Sequence, residues 1–97
     1  MKSEQIQTLH PKAGKINKRI ALEKYLFIKE NILFILSMKE PTHTELMEAI
    51  YENLKDTFEG GIQWYGEIVK LDLEARGIIE RTGSKPEKYR LLKKMYE

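Results

Sequence analysis

The chain has 97 residues, 41% of them hydrophobic and 33% charged, which describes one soluble domain with a thin core and a heavily charged surface. The lack of cysteine excludes a disulfide framework and a cysteine-based metal site, and fits a reducing, cytoplasmic compartment. Net charge is only +2 but unevenly spread: residues 1–20 carry five basic side chains against one acidic, 21–77 six against eleven, and 78–97 six against three.

Residues 1–20 read as a basic N-terminal arm, with 21–97 as the folded domain. His10-Pro11 and Ala13-Gly14 break any helix there, and Ile6, Leu9 and Ile16 are isolated apolar residues. The opening MKSEQIQTLHPK has no apolar signal core, so secretion is not expected. The longest apolar-rich stretch, Tyr25 to Met38, contains Lys29, Glu30 and Asn31 and is too short and polar to span a bilayer.

A first helix is expected from about Ala21 to Met38. Leu22, Tyr25, Leu26, Ile32, Leu33 and Leu36 recur at helical spacing as a buried face, widened by Ile28 and Ile35. Phe27 and Phe34 project away from it, seven residues apart, on a second apolar face. Two large aromatics there need cover, from the arm or from a second subunit, so they are the candidate dimer interface.

Glu40-Pro41 ends that region. Thr42-His43-Thr44-Glu45 fits a capping box, placing a second helix from about His43 to Leu54. Its buried stripe is Leu46, Met47, Ile50, Tyr51 and Leu54. The connection Lys55 to Gly61 is longer than the simplest helix-turn-helix turn, and Phe58 is placed to plug the core beneath it. A third helix follows from about Ile62 to Arg76, with Gly77 as its left-handed stop and Gly66 as a weak spot or a point of close packing. Two extended runs, from Ile78 to Arg81 and from Glu87 to Leu91, flank a Gly/Ser/Pro turn and make a β-hairpin. The tail from Leu92 reads as a short helix or a frayed end.

The fold class is therefore mainly α with a small β-hairpin. The order of helix, helix, helix and hairpin over Ala21 to Leu91 resembles the winged helix-turn-helix family, a three-helix core plus wing. The most telling piece is LEARGIIER, Leu73 to Arg81, which looks like the end of a recognition helix entering the first wing strand. HPKAGK, His10 to Lys15, and WYGEIVKLDLEARG, Trp64 to Gly77, look like a family of small, functionally uncharacterised bacterial winged-helix proteins.

That resemblance implies DNA binding, as in a transcriptional regulator, with the third helix in the major groove. Gln63 and Lys70 are the base readers that helix offers; Glu67, Asp72 and Glu74 oppose a polyanion. The wing residues Arg81, Lys85, Lys88 and Arg90 suit phosphate contact, and Lys12, Lys15, Lys18 and Arg19 of the arm add cations. The same charges also serve simply to keep an exposed hairpin soluble. The alternative is a winged-helix protein-interaction module that binds no DNA, since Trp64, Tyr65, Ile68 and Leu71 make the third helix apolar on several sides.

Catalysis is not expected. His10 and His43 lie on different segments, no nucleophile–base spacing stands out, and Gly60-Gly61 lacks the lysine and hydroxyl of a phosphate loop. Metal is not expected either: Glu45, Glu48 and Glu52 read as a solvated helix face. Neither a cofactor nor a small-molecule ligand is expected.

Overall fold

A computed structural model describes residues 4–92; the tail at 93–97 lies outside the described residues. Three helices form the core: α1 (Leu22–Leu36), α2 (His43–Leu54) and α3 (Ile62–Ala75). Two antiparallel strand pairs flank them, β1 (Gln5–Gln7) with β2 (Arg19–Ala21), and β3 (Ile79–Arg81) with β4 (Tyr89–Leu91).

Local capping starts α2 and stops α3, while α1 is started from another segment. The Thr42 hydroxyl accepts from the Glu45 N–H at 3.2 Å, and the Glu45 carboxylate accepts from the Thr42 N–H at 3.0 Å. That reciprocal cap starts α2 where the sequence expects it. α1 has no side-chain cap; the Leu22 N–H donates to the Glu4 carbonyl at 2.8 Å, so the N-terminal segment starts it instead. α3 stops at Gly77, where φ is +75°, and the Ile78 N–H returns to the Leu73 carbonyl at 2.9 Å.

The core is built from Ile28, Ile32 and Ile35 of α1, Leu46 and Ile50 of α2, and Val69 and Leu73 of α3, all essentially without solvent exposure. Phe58 plugs it beneath the α2–α3 connection. Gly66 is a point of close packing: a Cβ there meets the Met47 sulfur at 3.2 Å and Ile50 Cδ1 at 3.3 Å, which fixes how near α2 lies to α3. Two expected core residues sit outside. Leu26 of α1 and Tyr51 of α2 are exposed, and Leu22 and Leu33 are only partly buried. α1 is apolar on nearly every side, so spacing alone gives it no unique inner face.

β3 and β4 pair with Ile79 opposite Leu91, Glu80 opposite Arg90 and Arg81 opposite Tyr89. A third extended piece joins them. Thr42 bridges Lys88, and the Tyr89 N–H donates to the Pro41 carbonyl at 2.9 Å. The hairpin is thereby held to the entrance of α2 as well as to α3.

The N-terminal segment is a hairpin against the helices, with Gln5 opposite Ala21, Ile6 opposite Ile20 and Gln7 opposite Arg19. Its clasp is Asp72, a fully buried carboxylate on α3. One oxygen accepts from the Leu9 N–H at 2.8 Å; the other accepts from Arg76 Nε at 2.8 Å and from the Tyr25 hydroxyl. Burial and this carboxylate together push the Tyr25 phenol well above its ordinary range, so it stays a donor. Asn17 Nδ2 adds a bond to the Ile68 carbonyl at 3.0 Å.

Replacing Asp72 by Ala leaves the Tyr25 hydroxyl and Leu9 N–H without an acceptor and Arg76 without its carboxylate. We expect a loss of about 3–5 kcal/mol in urea unfolding, with faster proteolysis at Pro11 to Lys18.

Candidate interaction surfaces on α3, the C-terminal hairpin and α1

The outer face of α3 lies between the two hairpins. The N-terminal hairpin holds the side bearing Ile68 and Asp72, and β3–β4 holds the side bearing Lys70 and Glu74. Gln63 and Trp64 remain exposed between them, with Glu67 and Leu71 partly so. Ile68 and Asp72 are buried where the N-terminal hairpin is anchored to α3.

Lys70 does not face outward as a base reader. Its side chain is 3% exposed, and its ammonium donates to the Tyr89 hydroxyl at 3.1 Å, 4.6 Å from that ring's centre. Glu67 and Glu74 lie 3.9 and 4.0 Å away and supply the countercharge that a buried ammonium needs. The hairpin folds over Lys70 through Tyr89, a contact between segments 19 residues apart.

The cations of β3–β4 divide in two. Arg81 grips Glu74 with Nε at 2.7 Å and a second guanidinium nitrogen at 3.3 Å, and reaches Glu87 at 3.2 Å. The bond to Glu74 is the main cause of an upward shift of the Arg81 pKa. Arg90 bonds Glu80 at 2.6 Å directly across the strands. Lys85 and Lys88 are exposed, with no ion pair among the described residues. Of the six expected nucleic-acid contacts, Gln63, Lys85 and Lys88 are at the surface and uncommitted.

The acidity of α3 is also internal. Asp72 is closed in with Arg76, and the side chain of Glu74 is 9% exposed beneath Arg81. Glu67 stands alone toward solvent, 3.5 Å from His43 Nε2. That geometry would favour imidazolium, yet the His43 pKa is lowered, first by desolvation and then by Lys70, and Glu67 does not offset them. A 3.5 Å separation between half-exposed groups is a weak pair, so burial and Lys70 prevail. His10 acts as a turn residue, its Nδ1 accepting from the Lys12 N–H at 3.0 Å.

On α1, Phe27 is 42% and Phe34 56% exposed. Phe27 stacks on Phe58 with ring centres 5.9 Å apart, and Phe34 lines a shallow groove of about 230 Å³ with Glu30, Asn31 and Leu54. Leu26 and Met38 are exposed on the same helix and its end, so the face is wider than the two phenylalanines. The N-terminal hairpin leaves these side chains uncovered. The surface of α3 carries Trp64, 52% exposed, beside Tyr51 and Phe58. Among the described residues no cluster of three His, Asp or Glu is spaced to hold a metal ion, and no helix is long and apolar enough to cross a membrane.

The role of Asp72 was hidden in the sequence, although the pair Asp72 and Arg76, four residues apart on one helix, is a visible signal. Its partners Tyr25 and Leu9 carry no signal at all, since they arrive from other elements.

Neutral His43 generates a pH dependence. Because its folded pKa lies below the ordinary 6.5, the unfolded chain takes up the proton first. The melting temperature should hold above about pH 6.5 and drop slightly as pH falls through the lowered value, and His43→Gln should remove that component.

A family model described as a family of unknown function (DUF6958) matches residues 5–89, from β1 into β4. No curated protein and no solved structure matches the chain.

Proposed function

We propose that this chain, which belongs to the DUF6958 family, is a winged-helix protein-association module rather than a reader of DNA sequence. One observation carries the reading. Lys70, Arg81 and Arg90, three of the side chains suited to bases or phosphates, are each tied to groups of their own fold. Releasing any of them to a duplex means breaking a charge-assisted bond first. Large apolar side chains on α1 and α3 meanwhile stay at the surface. Three helices followed by a hairpin, with Thr42 ahead of α2 bridged to Lys88 just before β4, support the winged-helix assignment. The module acts by contact, and no catalytic role is assigned to it.

A second reading is favoured by the flanks of α3. Lys85 and Lys88 stand on one side of its outer face, and the hairpin bearing Lys12, Lys15 and Lys18 on the other. Two cationic loops astride a helix suit a duplex held through its phosphates, as in a transcriptional regulator of low sequence preference.

Fluorescence anisotropy of a labelled mixed-sequence duplex separates the two. Association by protein surfaces predicts no saturable binding at about 100 mM salt. Binding that falls steeply with salt, and whose salt slope drops by about 2 on Lys85→Ala with Lys88→Ala, would reverse the choice.

A further inference from the structure

We propose that a second copy of this chain covers the exposed face of α1 with its basic N-terminal hairpin. The inference rests on the protein-association reading and names the partner. Two surfaces of the chain are left unpartnered, and they are opposite in character.

The first is the outer face of α1. Leu26, Phe27, Phe34 and Met38 form an apolar face, and Glu23 and Glu30 stand exposed along it with no ion pair among the described residues. Residues 22–60 as a whole carry eight acidic side chains against four basic. Two of those four are already engaged, Lys24 on the Glu59 carbonyl at 2.8 Å and Lys55 on Glu52 at 3.0 Å. Inside the groove between Phe27 and Phe34, the Asn31 Oδ1 is buried with no donor among the described residues.

The second is the loop of the N-terminal hairpin. Ile16 at its tip is 88% exposed, and Leu9 across from it is also exposed. Around them stand Lys12, Lys15, Lys18 and Arg19, all exposed and unpaired among the described residues. An isoleucine ringed by cations complements phenylalanines flanked by Glu23 and Glu30, and the groove of about 230 Å³ is large enough for an aliphatic side chain.

The two surfaces do not meet within one chain. The Leu9 N–H on Asp72 and the Asn17 amide on the Ile68 carbonyl anchor the hairpin to the α3 side. Direct α1-to-α1 packing is less favourable, because it brings the unpaired carboxylates of both copies together. Hairpin-to-helix contact across a twofold axis occurs twice. The partly exposed Leu26, Phe27, Phe34 and Met38 of α1, with Ile16 and Leu9 of the hairpin, supply the apolar part of each contact.

Sedimentation velocity on the full chain tests this. The wild type should be dimeric at about 50 μM and weaken as salt rises. Phe34→Asp and Ile16→Asp should each make it monomeric with unchanged circular dichroism, since both side chains are at the surface. Glu23→Lys with Glu30→Lys should weaken the dimer at least tenfold, and adding Lys15→Glu with Lys18→Glu should restore it. A wild type that is monomeric at about 500 μM overturns the proposal. So does a dimer broken by Phe34→Asp but indifferent to Ile16→Asp, which would mean that α1 faces α1. Salt-dependent duplex binding by the wild type defeats the protein-association reading itself; a monomer that binds no duplex defeats only the hairpin contact.

Discussion

Asp72 is the point on which the rest of the structure depends. A carboxylate with no solvent exposure is costly unless each oxygen is satisfied, and here three separate elements supply the donors. Tyr25 brings α1, Leu9 brings the N-terminal hairpin, and Arg76 closes the end of α3. The bonds are directional, so they set the relative placement of these elements more sharply than apolar packing does. They also account for the ordering of a segment rich in lysine, which has little apolar surface of its own to bury.

A similar arrangement occupies the other side of α3. Lys70 is buried under Tyr89 with two carboxylates about 4 Å away, and Arg81 closes over one of them. α3 thus lies between an acid-centred cluster and a base-centred one. Most of its formal charges look inward, toward one hairpin or the other. The outward face is left with a tryptophan, a glutamine, a leucine and one glutamate, a surface closer in character to a protein contact than to a phosphate clamp.

Charge counts along the chain therefore mislead in both directions. By count the third helix is acidic and would repel DNA, yet two of its acids are closed off by arginines. The hairpin appears rich in cations, yet both its arginines are bound to glutamates. What survives at the surface is a dipolar molecule, basic at the hairpin loops and acidic along α1 and α2. Complementary ends on one chain can lead copies to associate, and a symmetric pairing closes that association where a head-to-tail one would extend it.

The sequence alone determined the number, order and nearly the limits of the helices. Their signals are local: the Thr42–Glu45 cap, the Gly77 stop, the Gly/Ser/Pro turn and the spacing of apolar residues. It also placed Phe27 and Phe34 together on a second apolar face of α1, seven residues apart. Tertiary structure alone decided which side of α1 faces inward, since that helix is apolar nearly all round, and so sent Leu26 outward. It alone decided the fate of Lys70, Arg81 and Arg90, because a side chain's availability depends on what another segment brings to it. A charge has a position in the sequence, but its partner is chosen by the fold.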